Sequence, residues 1–357
     1  MSGKLIWNGT ESYFSKLPLS QESSHDQSYI SSAKFINEWQ SGKESFAQNT
    51  SGSTGKPKTI SISRQQMIAS AKRTAKALNI NKGTSALLCI NPEFIGGKMM
   101  LVRAMEFEWN LTLVPPSSNP EEHLKKNTPF SFAALVPLQL QSMLGTEKGR
   151  AQLNNIDTII IGGAPIGPQL EAEMQSLSAK VFSTYGMTET VSHIALKSMN
   201  GIHRSDLFQI LDGISVAIDE RNCLRIKADV TLNEWVQTND VVELRGSEFK
   251  WLGRADFVIN SGGVKIHLDQ LESDIEKLLN TEVVLLKQNH DQLGETFVAV
   301  IVNRSNKTSS ELKSILESSL AKYHKPNEVY LVDSLPRTSS GKVDRLALCK
   351  QLKIDQS

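Results

Sequence analysis

A run of hydroxyl residues, glycines and lysines near the start of the chain is equipped to bind a polyphosphate. It reads Thr50-Ser51-Gly52-Ser53-Thr54-Gly55-Lys56-Pro57-Lys58. Glycine lets a backbone approach a ligand closely and point its N–H groups at an anion, while hydroxyls add donors and lysines add positive charge. The run is not a Walker A loop, because that pattern needs Gly where Thr50 stands and Ser or Thr where Pro57 stands. A flexible surface loop has a similar composition, so the run alone leaves both interpretations open.

Four further segments carry residues suited to nucleotide chemistry. In order they are 183–190 (STYGMTET), 238–240 (TND), 251–266 (WLGRADFVINSGGVKI) and 335–343 (LPRTSSGKV). Together with the first run they resemble the signatures of the adenylate-forming superfamily, which contains acyl- and aryl-CoA synthetases, peptide-synthetase adenylation domains and luciferases. The resemblance extends from about Thr50 to about Arg345. One departure is Asn239, which stands where the family has glycine.

The resemblance implies an AMP-forming acid–thiol ligase that uses ATP, Mg²⁺ and coenzyme A. A carboxylate attacks the α-phosphate of ATP to give an acyl-adenylate and pyrophosphate, and the thiol of CoA then displaces AMP. Because the first step brings two anions together, catalysis has to neutralise and position charge.

The resemblance assigns the ATP phosphates and the metal to two of the segments. The β- and γ-phosphates would be wrapped by Thr50, Ser51, Gly52, Ser53, Thr54, Gly55 and Lys56. Thr188 would donate to the α-phosphate, and Glu189 would hold Mg²⁺, an ion that favours a carboxylate together with phosphate oxygens. Taken alone, Thr188 and Glu189 could equally be a helix N-cap followed by a first-turn acid.

The adenine would lie against two other places. Tyr185, which precedes Gly186, would stack on the base. Gly163 and Ala164 follow an apolar run and resemble the family's adenine-side turn. A plain strand-to-helix turn explains that pair equally well.

The resemblance places the ribose and the hinge between two domains close together in the sequence. Asp240 would accept hydrogen bonds from the ribose hydroxyls, as a carboxylate does in other nucleotide sites, and Arg254 would join it. Asp256 corresponds to the hinge at which the small domain swings. Gly262 and Gly263 would line the thiol channel after that swing.

Lys342 is the lysine that the resemblance implicates in adenylation. An ammonium is a compact, mobile charge that can bridge the substrate carboxylate and the α-phosphate. Lys265 is the other candidate lysine. A solvated tail lysine is the ordinary alternative for Lys342, and the surrounding segment 335–343 argues against it.

The acid to be activated is indicated by segment 90–103 (INPEFIGGKMMLVR), where the family has an aromatic-His-x-x-G sequence followed by a helix. Phe94 takes the His position. In the o-succinylbenzoate–CoA ligases of menaquinone biosynthesis, an arginine nine residues after that His binds a carboxylate of the substrate, and Arg103 has this spacing. Ser192 and His193 lie in run 187–195, which looks closest to the same subfamily, and would face the acyl pocket. Phe94 and Gly96 depart from the pattern, and Arg103 could also be a helix residue that snorkels to the surface.

Three functions therefore compete. The first is o-succinylbenzoate–CoA ligase, and the second is another aryl- or acyl-CoA ligase with the same mechanism. The third is a non-catalytic member that binds nucleotide, against which Lys342, Glu189 and Asp240 count. Arg103 separates the first two, because a monocarboxylic substrate would leave it unpaired.

Composition narrows the class of partner. The 39 Lys and Arg residues balance 38 Asp and Glu residues, which argues against a nucleic-acid surface. No apolar run is long enough to span a membrane. The scattered Cys89, Cys223 and Cys349 form neither a metal pattern nor a disulfide framework, which fits a reducing cytoplasm. A small-molecule carboxylic acid is the expected partner, and the oligomeric state is left open.

The pattern of the chain predicts an α/β protein with a large layered N-terminal domain of sheets and helices and a small, mobile α+β C-terminal domain. Residues 1–48 are expected to be an irregular or partly helical lead-in, in place of a trimmed N-terminal subdomain. Residues 49–254 would form the ATP- and acyl-binding domain, and 255–357 the mobile domain. Ser63, with Gln66 as capping partner, predicts a helix start, and helices are also expected at 168–176 and 268–279.

Overall fold

The computed structural model describes residues 3–16, 20, 25–49, 58–125, 127–338 and 342–354. The strands of this part of the chain are β1 (Lys4–Trp7), β2 (Thr10–Tyr13), β3 (Ser45–Asn49), β4 (Thr59–Ser63), β5 (Ser85–Leu88), β6 (Asn110–Leu113), β7 (Phe130–Leu135), β8 (Ile156–Ile161), β9 (Lys180–Gly186), β10 (His193–Ser198), β11 (Phe208–Ile210), β12 (Ser215–Ile218), β13 (Cys223–Lys227), β14 (Val236–Arg245), β15 (Glu248–Arg254), β16 (Val258–Ser261), β17 (Val264–His267), β18 (Val283–His290), β19 (Gly294–Val302) and β20 (Val329–Val332). Its α-helices are α1 (Gln27–Gln40), α2 (Arg64–Leu78), α3 (Ile95–Glu106), α4 (Pro137–Leu144), α5 (Glu147–Leu153), α6 (Pro168–Glu173), α7 (Leu268–Leu279), α8 (Ser309–Ser319) and α9 (Arg345–Leu352).

One large sheet organises the N-terminal part of the molecule. Its 13 strands run in the order β12-β13-β14-β15-β11-β10-β9-β8-β7-β5-β6-β1-β2. The strands from β9 to β1 pair in parallel, and those from β9 to β12 pair antiparallel. The chain therefore switches from helix-covered parallel strands to antiparallel meanders at β9, the strand that carries Tyr185.

Helices cover both faces of the parallel strands. In β7, Phe132 and Ala134 pack into a core shared with α1, α2 and α3, whereas Ala133 and Leu135 pack into a second core shared with α4, α5 and α6. Strands buried on both faces have nearly continuous apolar sequences, as β5, β7 and β8 do. Short apolar runs in the sequence therefore indicate these three strands.

Residues 1–48, predicted to be an irregular or partly helical lead-in, contain helix α1 together with strands β1 and β2, which the pattern did not indicate. β1 adds to the large sheet in parallel with β6, with Leu5 opposite Leu111. The Asp26 side chain accepts from the first backbone N–H groups of α1. Trp39 of that helix then stacks on Phe46 of β3, with ring centroids 5.5 Å apart. A four-residue strand has too few side chains to show a period, so sequence pattern alone did not reveal it.

Other predicted elements are confirmed. Ser63 caps α2 as expected, since its hydroxyl accepts from the Gln66 backbone N–H at 3.2 Å while the Gln66 side chain accepts from the Ser63 N–H at 2.9 Å. The helix predicted at 268–279 is α7. The helix predicted at 168–176 divides into α6 and the 3₁₀ turn Met174–Ser176.

The C-terminal part forms a second, smaller sheet, with β17-β16-β19-β18 in order and β20 paired with β19. α7 and α8 pack on one face of it and α9 on the other. The chain passes from one sheet to the other at the 3₁₀ turn Ala255–Phe257, which is where the sequence puts the domain boundary. No helix of the described residues is both long enough and apolar enough to cross a membrane.

Candidate nucleotide and carboxylate site

The predicted phosphate loop lies between two described strands. β3 and β4 form an antiparallel hairpin in which Asn49 pairs with Thr59. The loop residues Thr50, Ser51, Gly52, Ser53, Thr54, Gly55 and Lys56 lie outside the described residues, and their role stays a prediction.

Thr188 and Glu189 lie in a 3₁₀ turn, Thr188–Thr190, between β9 and β10. The N-cap interpretation does not hold, because the cap position is Met187, whose N–H is held by the Thr190 hydroxyl at 3.0 Å. Gly186 is required in this loop, since a Cβ there would lie 2.3 Å from the Ser192 carbonyl oxygen. The tight connection leaves Thr188 and Glu189 half-buried.

The role of Glu189 in holding Mg²⁺ stays a prediction. No group of three or more His, Cys, Asp or Glu residues in the described ranges could hold a metal. Mg²⁺ commonly takes one or two carboxylates, with phosphate oxygens and waters completing its shell, so one carboxylate would be sufficient if a nucleotide supplied the phosphates.

Asp240 is the centre of a polar cluster formed by residues of β9, β14 and β15. The Tyr185 hydroxyl donates to one carboxylate oxygen at 2.7 Å, and the Trp251 indole N–H donates to the other at 3.2 Å. Burial raises the pKa of Tyr185 well above its usual value, and the charge of Asp240 raises it further. The Tyr185 ring packs edge-on against Phe249 at 5.0 Å. Each oxygen of Asp240 retains acceptor capacity for further hydroxyl groups.

Arg254 connects this cluster to Asp256, the predicted hinge residue. It stands opposite Asp240 in the β14–β15 pair, with guanidinium and carboxylate 3.9 Å apart. It also forms a two-pronged ion pair with Asp256, at 2.9 and 2.7 Å. Burial alone would raise the pKa of Asp256, but the hydrogen bonds and charge of Arg254 outweigh it and hold that pKa below the usual value.

Lys342 of the small domain lies near enough to Asp240 and Arg254 for their charges to act on its ammonium. Arg337 pairs with Val343, and the Thr338 N–H donates to the Lys342 carbonyl at 2.8 Å. The Lys342 residue is exposed to solvent. Partial desolvation by the surrounding protein nevertheless lowers the pKa of its ammonium. Arg254 lowers that pKa further and Asp240 raises it, so both charges act on Lys342.

The two sheets are joined close to this point. The Asp269 carboxylate at the start of α7 accepts from the Arg254 backbone N–H at 2.8 Å. Gly253 makes room for it, because a Cβ there would lie 3.0 Å from Asp269 and its φ of +133° is unfavourable for other residues. Burial and the neighbouring Glu272 raise the pKa of Asp269 to about 6, although nearby donors and arginines oppose this.

The remaining predicted glycines lie in two turns. Gly262 and Gly263 form the tip of the β16–β17 hairpin, with φ of +57° and +84°, and Gly262 lies against Tyr323 of the small domain. Lys265 is exposed in β17. Gly163 and Ala164 follow β8 in a strand-to-helix turn.

Arg103 lies in the last turn of α3 and is only 1% exposed. Its Nη2 donates to the Ser192 hydroxyl at 3.1 Å and to the Thr74 hydroxyl at 3.2 Å. Its Nε is buried without a hydrogen-bond partner, and none of the ion pairs of the described residues includes it. Burial lowers the pKa of Arg103 to about 10. The guanidinium is therefore a buried charge for which the described part of the chain supplies no counter-ion.

His193 completes this cluster. Its Nε2 lies 3.1 Å from the Thr74 hydroxyl and its Nδ1 lies 3.4 Å from the Ser192 hydroxyl. Burial lowers the pKa of His193 well below its usual value, and the charge of Arg103 adds to the effect. The structure brings Arg103, Ser192 and His193 together, while their role in binding the substrate stays a prediction. Thr74, on α2, was missed, since a threonine on a buried helix face gives no signal of its own.

Phe94 is not brought to this cluster. It is 38% exposed and precedes α3, whereas Arg103 lies in the last turn of the same helix. Nine residues at about 1.5 Å each separate them by roughly 13 Å along the helix axis. The nine-residue spacing thus places the two residues at opposite ends of one helix.

A doubly covered parallel sheet with an antiparallel extension, a small α+β domain and an Asp–Arg–Lys cluster between them define an adenylate-forming enzyme. The model of the AMP-binding enzyme family matches residues 11–217, and that of the AMP-binding enzyme C-terminal domain matches 281–342. The chain belongs to the AMP-binding enzyme family. The expected class, an AMP-forming acid–thiol ligase, is confirmed, and such CoA ligases use ATP, Mg²⁺ and CoA.

Known relatives differ in how closely they match. A solved acyl-CoA synthetase (AMP-forming)/AMP-acid ligase II-like protein from Dyadobacter fermentans is 40% identical, with a TM-score of 0.63, over 92% of this chain and 95% of that chain. The 2-succinylbenzoate–CoA ligase of Staphylococcus epidermidis is 27% identical over 83% of this chain and 67% of its own length. The o-succinylbenzoate CoA synthetase of Bacillus subtilis, solved with its acyl-adenylate, shares the fold at a TM-score of 0.70 and 23% identity, over 87% of this chain and 69% of that chain.

Proposed function

We propose that this protein is an ATP-dependent o-succinylbenzoate–CoA ligase of menaquinone biosynthesis. The observation that carries the proposal is the buried Arg103, which has two neutral hydroxyl partners and no carboxylate partner among the described residues. Curated relatives at 25 to 28% identity are named 2-succinylbenzoate–CoA ligases, which supports the same substrate.

The physical argument is that a buried guanidinium needs an anion. Removing an arginine from water without a counter-charge is costly, and a carboxylate is the partner that matches its planar fork. A dicarboxylic substrate can supply one, because one carboxylate is activated while the other remains free. Ser192 is the half-buried member of the cluster, whereas Thr74 and His193 are buried. We therefore place the approach of the free carboxylate on the Ser192 side.

The remaining site residues have complementary proposed roles. Lys342 neutralises charge between the substrate carboxylate and the α-phosphate, and Thr188 donates to that phosphate. Glu189 holds Mg²⁺, which supplies charge neutralisation on the ATP phosphates when it is bound. Asp240 and Arg254 bind the ribose, and Tyr185 contacts the adenine. We further propose that residues 255–357 move as one domain about Asp256 after adenylation.

The competing candidate is another aryl- or acyl-CoA ligase with the same mechanism. The observation that favours it is the enclosure of Arg103, which is 1% exposed and can meet a substrate only if its neighbours move apart. In that case Arg103 is a structural residue, and the acid carries a single carboxylate.

The test measures pyrophosphate release and CoA thioester formation with o-succinylbenzoate and with 4-oxo-4-phenylbutanoate, which lacks the ring carboxylate. We expect the dicarboxylate to be preferred. Losing a desolvated charge pair costs roughly 2 to 5 kcal/mol, so Arg103→Ala should lower kcat/KM for it by about one to three orders of magnitude. Arg103→Lys should recover only part, because the fork is lost.

Arg150→Ala is the matched control, since Arg150 is exposed in the last turn of α5. It should leave both substrates unaffected. A parent enzyme that prefers the monocarboxylate, or an Arg103→Ala variant with unchanged o-succinylbenzoate kinetics, refutes the proposed substrate and leaves the general CoA ligase.

A further inference from the structure

A closed ring of hydrogen bonds includes the Nη2 atom of the Arg103 guanidinium. It runs from Arg103 to Ser192, from Ser192 to His193, from His193 to Thr74, and from Thr74 back to Arg103. We propose that Thr74 is a positioning residue for carboxylate recognition, which fixes the Arg103 fork directly and also fixes His193 as its Nε2–H tautomer. This inference rests on the proposed function, because it gives Arg103 the substrate carboxylate as its ligand.

The direction of the bonds follows from counting hydrogens. The Thr74 hydroxyl has one hydrogen, and the Ser70 carbonyl of the preceding turn lies 3.1 Å away as its acceptor. Thr74 then accepts from Arg103 and from the Nε2–H of His193 with its two lone pairs. This leaves the Nδ1 of His193 as an acceptor, toward which the Ser192 hydroxyl donates.

The opposite direction satisfies fewer groups. If Thr74 donated to Nε2, the Nδ1–H of His193 would donate to Ser192. The Ser192 hydrogen would then have no acceptor in the ring, and the hydroxyl would accept twice. Buried polar groups are rarely left without partners, so the first arrangement is preferred. A neutral His193 is required in both, and burial and the charge of Arg103 hold its pKa well below the usual value.

The ring determines which donors a ligand can use. Both hydrogens of Arg103 Nη2 are taken, one by Thr74 and one by Ser192. The Nε–H has no partner, and Nη1 has only the weakly accepting Met100 sulfur at 3.9 Å. Both two-pronged edges of the guanidinium, Nε with Nη2 and Nη1 with Nη2, include Nη2, so a carboxylate that binds both donors of one edge displaces the Thr74 or the Ser192 hydroxyl from it. The ring fixes the orientation of the guanidinium before the carboxylate binds.

The backbone that carries Ser192 and His193 is itself constrained. The preceding residue, Val191, is buried with φ +64°, an unfavourable region for a β-branched side chain. Gly186 packs against the Ser192 carbonyl and the His193 Cα. Strained backbone persists only where the surrounding structure holds it, and here it precedes Ser192 and His193, the two consecutive members of the ring.

The first experiment needs no substrate. Nitrogen-15 NMR of the histidine-labelled protein, with His193→Gln to assign the signal, reports the tautomer of His193. We expect a protonated Nε2, an unprotonated Nδ1 and a ring that stays neutral at pH 6. A protonated Nδ1 overturns the inference.

The second experiment compares Thr74→Val with Thr74→Ser. Valine keeps the shape but removes the acceptor, so the KM for o-succinylbenzoate should rise about tenfold, which corresponds to about 1.4 kcal/mol, with little change in kcat or in the KM for ATP. Serine keeps the hydroxyl and should restore most of the affinity and the Nε2–H tautomer. Thr296→Val changes a buried threonine of the small domain and serves as the control.

The outcomes separate this inference from the proposed function. If the parent uses o-succinylbenzoate but Thr74→Val leaves its KM and the His193 tautomer unchanged, the positioning role is wrong and the substrate stands. If the parent prefers the monocarboxylate, the proposed substrate is wrong and the positioning role falls with it. If Thr74→Val does not fold, the tautomer of the parent and the kinetics of Thr74→Ser against Thr74→Ala decide.

Discussion

Replacing Arg103 with methionine should separate stability from function. Methionine is unbranched and apolar, and it can fill the space of the arginine stem beside Met100. We expect the variant to lose o-succinylbenzoate activity while its free energy of unfolding falls by no more than about 3 kcal/mol.

The magnitude follows from the charge and its hydrogen bonds. Burial lowers the pKa of Arg103 from 12.5 to about 10, and at 1.36 kcal/mol per pKa unit this puts the cost of burying the charge at about 3 kcal/mol. The two hydrogen bonds lost, to Thr74 and Ser192, are donated by a charged group and contribute about 1.5 to 3 kcal/mol each. Both hydroxyls keep His193 as a partner, so neither is left unsatisfied. The relief of the buried charge therefore offsets most of this loss, and the variant should be about 0 to 3 kcal/mol less stable.

The assay is urea unfolding followed by tryptophan fluorescence, with and without o-succinylbenzoate. A ligand at 100 times its Kd should stabilise the parent by about 2.7 kcal/mol, whereas the Arg103→Met variant should gain little at that concentration. Arg150→Met, at an exposed position, is the control and should respond to ligand like the parent. Destabilisation of the Arg103→Met variant by more than about 3 kcal/mol would show that the charge is already compensated within the protein, and the reasoning would fail.

Three other predictions concern the remaining site and the small domain. Lys342→Ala should abolish acyl-adenylate formation but spare thioester formation from pre-made acyl-adenylate. The control Lys350→Ala should affect neither half-reaction. Equal loss of both half-reactions in separate assays of Lys342→Ala would argue against a moving domain. Asp240→Asn should weaken ATP binding about 10- to 100-fold by calorimetry, because removing a carboxylate from a charge-assisted contact costs about 1.5 to 3 kcal/mol; unchanged affinity would exclude a ribose role. Burial raises the pKa of Glu276 to about 7, so its native form favours the proton and stability falls as pH rises from about 4.5 to 7. Glu276→Gln should therefore stabilise the protein by about 1 to 3 kcal/mol at pH 8 but not at pH 4, measured by urea unfolding, while the exposed Glu317→Gln should do neither.

Much of the fold could be predicted from the sequence because its elements carry local signals. The Ser63–Gln66 capping box marks the start of α2. Apolar runs mark strands that are buried on both faces. The first 48 residues carry weaker signals, and β1 became visible only through its pairing with β6. Register between strands that are distant in sequence depends on packing, which short segments do not encode.

The candidate site divides in the same way. Segment order identified the family, and with it the cluster of Asp240, Arg254 and Lys342. The nine-residue spacing also selected Arg103 as a substrate-binding residue. The same spacing selected Phe94, which lies at the opposite end of α3. No sequence pattern indicated Thr74. It contributes a single hydroxyl to the candidate site, and the partners of that hydroxyl, Arg103 and His193, lie on two other elements.

The sequence by itself determined the class of chemistry, because residue types at fixed spacing within one loop or strand can be read without knowing the fold. Tertiary structure decided what surrounds each of them. It packed α2, α3 and β10 so that one guanidinium, one imidazole and two hydroxyls meet away from water. It also placed Asp269 of α7 on the backbone of Arg254, which joins the two sheets beside Asp240. Burial and the pairing of charges are properties of atoms distant in the chain, and both depend on the packed structure.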